Sequence, residues 1–345
     1  VIEKGSADIV AVGRPISSDP DFPNKVFEGR DNEIRKCIAC NWCLTTHSNM
    51  NNESRCTVNA SYNREVEYRL TKTENMKRVM IIGGGVGGME TARVLHLRGH
   101  QVILFEKTKQ LGGLVRKVAS KIPHVRTSNL DHAPEYLVNE MERLGIITLQ
   151  GIEVSADTVK DVKPDVVIIA TGSLSGDLPD IKGINGNNVH DYEDYILGNV
   201  DIQEGKDVVI IGGGEGAEVA LSIARKKCRA VLVEETEEIM VTPYMAKSPI
   251  RTLYLQQYMD QAEVQTMVNT NVKEIGDGEE IVETEGQEKK IPADYVIIAS
   301  TRKSYNPLGD KIREIVKEVY EIGDCVKPAS ITEAYDDANY YARLI

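Results

Sequence analysis

Short apolar runs separated by glycine-rich turns mark out the central part of the chain. The run from Val79 to Ile82 predicts a buried strand, and the segment METARVLHLRG that follows predicts a helix ending at Gly99. A second apolar run ends at Glu106 and predicts the next strand. This order of strand, turn, helix and strand is typical of a parallel α/β sheet.

The same order recurs in residues 206–235, where the last apolar run ends at Glu234. Two further runs, in residues 165–172 and 294–300, are short and uniformly apolar, as in buried strands of parallel sheets. The simplest layout inserts a second unit into the first. The sequence therefore predicts an α/β fold with two nested Rossmann-like dinucleotide-binding domains. The predicted bounds are 77–199 with 294–345 for the first domain and 200–293 for the second.

Both glycine-rich turns carry a pyrophosphate-binding fingerprint, G-x-G-x-x-G or its variant with a final alanine. The matching residues are Gly83, Gly85 and Gly88 in the first unit and Gly212, Gly214 and Ala217 in the second. Such glycines let the backbone approach a pyrophosphate at a helix N-terminus, where free N–H groups favour negative charge. The acid that ends each following strand, Glu106 or Glu234, suits the two hydroxyls of a ribose. The chain is therefore predicted to bind two dinucleotides.

The acid in the second unit favours NADH. A carboxylate at Glu234 repels the 2'-phosphate of NADPH and accepts a hydrogen bond from the 2'-hydroxyl of NADH. NADPH stays open as the alternative because four bases lie in or just after the same predicted helix: Arg225, Lys226, Lys227 and Arg229. Such a run is usually the solvated face of a helix.

Four of the six cysteines lie close together near the N-terminus. Cys37, Cys40, Cys43 and Cys56 form the pattern C-x2-C-x2-C-x12-C. Three closely spaced thiolates and one distant thiolate suit a [4Fe-4S] cluster, whereas zinc sites favour two C-x2-C pairs. Disulfides are the remaining alternative, and they are rare in reducing compartments. Residues 36–76 are predicted to hold the cluster, while Cys228 and Cys325 are predicted as small buried residues.

Composition and charge narrow the class of partner. A chain of 345 residues, 41% hydrophobic and 27% charged, has room for two or three domains. The net charge of -12 argues against nucleic acid or an anionic membrane as partner. No apolar run approaches the ~20 residues of a membrane span, and no signal peptide opens the chain. We expect a cytoplasmic protein that acts on a small-molecule substrate.

The order of these segments resembles the two-dinucleotide flavoprotein reductases, in which FAD occupies the first site and NAD(P)H the second. Three further stretches match that pattern: LGG at 111–113, ATG at 170–172 and YEIGD at 320–324. The resemblance implies that the first cofactor is held by Gly113, Thr171 and Gly172. It also implies that Asp324 holds the ribityl chain of the flavin.

The N-terminal segment refines this resemblance. Residues 9–12 are predicted to form a buried strand, followed by Gly13, Arg14 and a proline-rich loop. This segment, 1–35, looks like the end of an FMN-binding TIM barrel of the old yellow enzyme class, with Gly13 and Arg14 at the FMN phosphate. The whole chain then resembles the C-terminal half of the NADH:flavin oxidoreductase group, which includes 2,4-dienoyl-CoA reductase, enoate reductase and trimethylamine dehydrogenase.

The resemblance implies that electrons pass from NADH to FAD, to the cluster and to FMN, which reduces an activated C=C bond in an enoate, a dienoyl-CoA or an enone. The spacing of Cys40 and Cys43 is nearer that of trimethylamine dehydrogenase, whose first site holds ADP. An amine-dehydrogenase-like electron-transfer protein with structural ADP is therefore the alternative. Most of the barrel lies outside this sequence, so catalytic residues are not identified. A separate barrel subunit or a homo-oligomer is the expected protein partner.

Overall fold

The computed structural model describes residues 2–49, 53–119, 121–239, 249–299 and 302–345. In chain order, the strands are β1 (Arg78–Ile82), β2 (Gln101–Glu106), β3 (Ile147–Gln150), β4 (Val166–Ile169), β5 (Ser173–Ser175), β6 (Val189–Asp191), β7 (Asp207–Ile211), β8 (Arg229–Val233), β9 (Gln265–Met267), β10 (Thr270–Ile275), β11 (Gly278–Thr284), β12 (Gln287–Ala293), β13 (Tyr295–Ile298), β14 (Arg302–Ser304) and β15 (Glu318–Glu321).

Twelve α-helices accompany these strands in the described ranges. They are α1 (Arg14–Ser18), α2 (Phe22–Phe27), α3 (Trp42–Asn49), α4 (Val86–Arg98), α5 (Gly113–Val118), α6 (His132–Arg143), α7 (Ala156–Val162), α8 (Tyr192–Ile196), α9 (Gly216–Arg225), α10 (Pro249–Gln261), α11 (Gly309–Arg313) and α12 (Ile331–Leu344). Short 3-10 turns cover Asp31–Glu33, Ser128–Asp131 and Gly323–Cys325. No helix in these ranges is long and apolar enough to cross a lipid bilayer.

The first sheet is parallel and has the strand order β15-β4-β1-β2-β3. Its central strand β1 buries residues on both faces: Val79 and Ile81 pack with α4, α6 and α12, and Met80 and Ile82 pack with α7 and α11. Burial on both faces explains why the strand is a continuous apolar run. Helix α4 ends as predicted, since Gly99 caps it in the left-handed conformation at φ 99°.

The second sheet is also parallel, with the order β6-β13-β7-β8-β9. Helices α8, α9 and α10 cover one face, and the antiparallel sheet β10-β11-β12 contributes to the core on the other. In each parallel sheet a glycine-rich turn follows the carboxyl end of one strand, β1 in the first sheet and β7 in the second. The two sheets with their helices form two Rossmann-like units, and the second unit is inserted into the first. The predicted fold class is therefore confirmed.

Strand β13 corrects the predicted domain boundary. The sequence predicts residues 77–199 and 294–345 for the first domain, but β13 pairs with β6 and β7, so strands from both of these ranges lie in the second sheet. The chain rejoins the first sheet only with β15. A short apolar strand fits either parallel sheet, so its composition does not reveal which sheet it joins. The two crossing segments, β5 and β14, pair with each other.

The N-terminal segment also departs from the prediction. Residues 9–12 form no strand, and Ile9 and Val10 are 85% and 49% exposed. A strand needs a hydrogen-bonding neighbour, and none of the described residues pairs with this segment. The helices α1 and α2 follow, and Phe27 at the end of α2 is 94% exposed.

Candidate cofactor sites

The first glycine motif forms the tight turn between β1 and α4. Gly83 has φ +115°, and a Cβ there would lie 2.2 Å from the carbonyl oxygen of Ala170. A Cβ on Gly88 would lie 2.0 Å from the carbonyl oxygen of Gly83. Helix α4 begins directly after Gly85, and no side chain caps its N-terminus. The turn therefore brings the backbone close to a helix N-terminus that suits an anion.

Glu106 is fixed at the end of β2 by two backbone donors. Its buried carboxylate accepts hydrogen bonds from the N–H of Gly84 at 2.8 Å and of Thr108 at 2.7 Å. The side chain lines a cavity of about 610 Å³ together with Gly83 and Thr171. A carboxylate has about four acceptor positions, so capacity is left for ribose hydroxyls.

The remaining predicted residues of the first site gather around the same turn. The N–H of Gly112 donates to Gly84, and a Cβ on Gly113 would lie 2.9 Å from Gly85 Cα. Gly172 and Asp324 line a smaller cavity of about 130 Å³ against the glycine turn. The structure therefore brings all these predicted residues to one edge of the first sheet.

Asp324 is oriented by two hydrogen bonds. Ser173 Oγ donates to Oδ2 at 2.8 Å, and the N–H of Ala329 donates to Oδ1 at 3.1 Å. The buried Cys325 beside it and the buried Cys228 have the role that the sequence predicts. The carboxylate of Asp324 is thus an ordered acceptor in the smaller cavity.

The second glycine motif repeats this geometry at the end of β7. Gly212 has φ +101°, and a Cβ there would lie 2.6 Å from the carbonyl oxygen of Ala299. Glu234 accepts from the N–H of Gly213 at 2.6 Å and from the N–H of Thr236 at 2.9 Å. Gly212, Gly214 and Glu234 line a cavity of about 720 Å³, and Ala217 is buried in α9.

Charge around the second cavity is mainly negative. Its described lining includes the acids Asp177, Asp180, Glu215, Glu234 and Glu235 and the bases Arg302 and Lys327. The four basic residues that kept NADPH as the alternative cofactor in the sequence analysis lie outside this lining. Arg225 donates to the His124 carbonyl and the other three pair with acids: Lys226 with Asp201, Lys227 with Glu204 and Arg229 with Asp207.

A hydrogen-bonded link joins the two nucleotide cavities. Arg302 lines the second cavity and donates through Nε to Ser173 Oγ at 2.7 Å, and Ser173 in turn donates to Asp324 in the first site. The side chain of Arg302 is only 8% exposed and pairs with Glu193. Burial alone would raise the pKa of Glu193, but hydrogen bonds from Arg302 and Lys117 offset it, and the pKa is lowered. Sequence analysis missed Arg302, because a single arginine after an apolar run carries no motif.

The four predicted cluster ligands line one small cavity, together with Arg14, Asn41 and Thr57. All six cysteines of the chain are free thiols. Two non-glycine residues between the ligands, Ala39 at φ 57° and Asn41 at φ 60°, hold the left-handed conformation. Each such residue costs about 1 kcal/mol or more, so the loop is held in an unusual shape around the thiols.

The electrostatics of these thiols suit a bound cation or cluster. Burial raises the pKa of Cys56 to about 12. Burial, and then the neighbouring Cys40 and Cys37, raise the pKa of Cys43. Positive metal charge would favour the thiolates that burial and mutual repulsion disfavour. The four residues therefore fit a thiolate-bound group.

Within the described ranges, no group of three Cys, His, Asp or Glu side chains is arranged to hold a single metal ion. A cluster makes a different demand, since its thiolates bind separate irons. Arg14, predicted at an FMN phosphate, donates here to the side-chain oxygen of Asn41 and lines the cysteine cavity. Gly13 precedes α1 and has open space around its Cα.

Comparison with known proteins places this geometry in a family. The profile of the pyridine nucleotide-disulphide oxidoreductases matches residues 77–338 and also residues 45–159. The chain belongs to this family. The similarity supports NAD(P)H-dependent flavin oxidoreductase chemistry for this oxidoreductase chain.

Longer proteins resemble this chain over all or nearly all of its length. An NADH oxidase from Thermoanaerobacter brockii is 34% identical over 97% of this chain and 51% of its own length. A solved 2-naphthoyl-CoA reductase in complex with 2-naphthoyl-CoA is 29% identical, with a TM-score of 0.89 over 100% of this chain and 51% of that chain.

A histamine dehydrogenase from Rhizobium sp. 4-9 is 26% identical, with a TM-score of 0.84 over 100% of this chain and 53% of that one. The chain thus spans about half the length of the relatives it matches. These findings confirm the resemblance to the C-terminal half of the NADH:flavin oxidoreductase group.

Proposed function

We propose that this chain is the NADH-oxidising, electron-transferring half of a flavin and iron–sulfur oxidoreductase that reduces an activated carbon–carbon double bond. The observation that carries the proposal is the link between the two nucleotide cavities. Arg302 of the second cavity and Asp324 of the first bind the same hydroxyl group, that of Ser173. Cofactors in the two cavities would therefore meet at one junction.

The first site suits FAD better than ADP. Glu106 would bind the ribose, and the turn before α4 would bind the pyrophosphate. ADP would end there, but the smaller cavity continues past the turn to Gly172 and Asp324. An ordered carboxylate at that position would accept hydrogen bonds from the polyol chain of a flavin.

The second site suits NADH better than NADPH. Glu234 would accept a hydrogen bond from the 2'-hydroxyl, and Glu235 in the same lining adds negative charge that repels a 2'-phosphate. The nearby bases of α9 and β8 are engaged elsewhere. We therefore assign NADH to this cavity.

The cysteine cavity would hold the [4Fe-4S] cluster through Cys37, Cys40, Cys43 and Cys56. When bound, a flavin accepts the two-electron hydride of NADH and an iron–sulfur cluster passes electrons singly. The chain contributes placement, burial and hydrogen bonds to these groups. A cytoplasmic location stays part of this proposal, because a reducing compartment keeps such cysteines available as thiolate ligands.

The substrate would bind, together with FMN, a barrel that lies outside these 345 residues. The relative that carries 2-naphthoyl-CoA supports an unsaturated, carbonyl-conjugated substrate such as an enoate, a dienoyl-CoA or an enone. Exposed apolar side chains at Ile9, Val10 and Phe27 are suited to a contact with such a barrel, as a covalent domain or as a separate subunit. Gly13 stays a proposed FMN contact, as does its neighbour Arg14, which lines the cysteine cavity.

An amine-dehydrogenase-like electron-transfer protein with structural ADP is the second candidate. The histamine dehydrogenase, which matches the whole chain, favours it. The two candidates differ in what the first cavity contains and in whether NADH delivers electrons.

Cofactor content under anaerobic conditions tests the proposal. The chain is reconstituted with iron and sulfide, and iron, FAD and ADP are quantified before NADH or NADPH is added. We expect about four irons and one FAD per chain, with the flavin bleached faster by NADH. The variant Glu234→Gln should show a preference for NADH that is weaker by about tenfold, while keeping its FAD. Bound ADP, without flavin and without response to either nicotinamide, would overturn the proposal in favour of the second candidate.

A further inference from the structure

A line of three polar side chains leads from the cysteine cavity to the first nucleotide site. Cys40 Sγ lies 3.3 Å from Thr57 Oγ1, which lies 2.9 Å from Thr332 Oγ1. Thr57 follows the ligand Cys56 and is only 3% exposed. Thr332 lies in the first turn of α12, whose neighbouring residues Ser330 and Ile331 line the smaller nucleotide cavity. The two hydroxyls therefore lie between the two cofactor sites.

The helix start holds Thr332 in place. The N–H of Thr332 donates to Ser330 Oγ at 3.2 Å, and the N–H of Ser330 donates to the carboxylate of Glu333 at 3.1 Å. Such a reciprocal capping box fixes the first turn of a helix. The hydroxyl of Thr332 is thus presented to Thr57 from a rigid position.

Ligation of Cys40 would set the direction of both hydrogen bonds. A free thiol donates its proton to Thr57, but a metal-bound cysteine is a thiolate that has no proton to donate. Thr57 then donates to Cys40 Sγ, and because a hydroxyl has one proton, its oxygen accepts from Thr332. Only one arrangement of the protons satisfies all three groups.

We infer that Thr57 is a positioning residue that donates an O–H···S hydrogen bond to the cluster ligand Cys40, with Thr332 holding Thr57 in the donating orientation. This inference rests on the proposed cluster. A hydrogen bond to a ligand sulfur stabilises the more negative, reduced cluster and raises its reduction potential. Thr57 would therefore make the cluster a better electron acceptor from the first nucleotide site.

Removing each hydroxyl separately tests the inference. In Thr57→Val the shape is kept and the donor is lost, so the reduction potential of the reconstituted cluster should fall. Thr57→Ser should restore it. Thr332→Val should lower the potential by a smaller amount, because the proton of Thr57 is then free to point elsewhere. The potential is read from the EPR signal of the reduced cluster during a redox titration, with the flavin potential from the visible spectrum as internal control.

The outcomes separate this inference from the proposed function. A wild-type chain that takes up no iron would overturn the cluster, and the inference with it. Full iron content in Thr57→Val with an unchanged potential would overturn the inference alone. Should Thr57→Val lose its iron, Thr332→Val decides, since it touches no cysteine: an unchanged potential there would contradict the proposed hydrogen-bond chain.

Discussion

The two nucleotide units position the acid at the proposed ribose site in the same way, but their helices begin at different positions relative to the glycine motif. In each unit the acid at the end of the second strand accepts hydrogen bonds from the glycine directly after the first motif glycine and from a threonine two residues past the acid. The donors are Gly84 and Thr108 for Glu106, and Gly213 and Thr236 for Glu234. Backbone groups thus position both carboxylates independently of any ligand.

The helix starts differ between the units. Helix α4 begins directly after Gly85, whereas α9 begins one position later relative to its motif, at Gly216. The first unit consequently has no room for a Cβ at Gly88, but the second accommodates the side chain of Ala217. The first turn is therefore the stricter of the two about the residue that its last motif position can hold.

The largest expected effect on stability comes from giving one unit the residue that the other unit has at the last position of its motif, in two separate variants. In Gly88→Ala the new Cβ would lie 2.0 Å from the Gly83 carbonyl oxygen, so the turn must shift. We expect a loss of about 3 kcal/mol in the free energy of unfolding and no bound flavin. The matched change Ala217→Gly should cost only about 1 kcal/mol. Urea unfolding and flavin content measure both, and equal effects in the two units would contradict the comparison.

The next effect is a pH dependence of the unfolding free energy, and it comes from a buried acid in the second unit. Glu280 in β11 is fully buried, and neither carboxylate oxygen has a hydrogen-bond partner among the described residues. Burial raises its pKa from 4.5 to about 8. The folded chain therefore keeps a proton that the unfolded chain releases, so this stability is complete below pH 4.5 and is lost as the pH rises to about 8.

Glu280→Gln should remove that pH dependence. Above pH 8 the variant should be more stable than the wild type, by up to a few kcal/mol at 1.36 kcal/mol per pH unit. Below pH 4.5 the two should be alike. Unfolding free energies measured from below pH 4.5 to pH 9 check this, and parallel curves for both proteins would show that the carboxyl does not titrate in this way.

The smallest predicted effect is on the preference between NADH and NADPH, and it should differ between variants of Glu234 and of Glu106. Glu234→Gln should reduce the preference for NADH over NADPH by about tenfold, or about 1.4 kcal/mol, because the charge that repels a 2'-phosphate is gone. Glu106→Gln should leave that preference unchanged and weaken flavin binding instead. Dissociation constants for both nicotinamides decide between them, and a change of preference in Glu106→Gln would mean that the sites are assigned the wrong way round.

Local pattern determined what the sequence could predict. The strand β1, the end of α4 at Gly99 and the buried Cys228 and Cys325 follow from short-range periodicity, and the structure confirms them. The sheet that β13 joins and the contact between Thr57 and Thr332 depend on pairing between distant segments. One sequence does not contain that pairing.

The prediction of a buried strand at residues 9–12 was wrong for a related reason. Their composition suits a buried strand, but a strand also needs a hydrogen-bonding neighbour, and the described chain supplies none. Arg302 was missed because its importance comes from contacts with Ser173 and Glu193 on other segments. Motifs located the sites, and tertiary contacts revealed the link between them.

The most direct test of the account is to ask whether NADH electrons reach the cysteine site. A several-fold excess of NADH over the reconstituted chain is added anaerobically, so that electrons suffice for both the flavin and the cluster, and the visible and low-temperature EPR spectra are recorded. We predict that the flavin is reduced and that a reduced-cluster signal develops, and that the signal is absent when FAD is removed. A cluster that dithionite reduces but NADH does not, with FAD bound, would contradict the account.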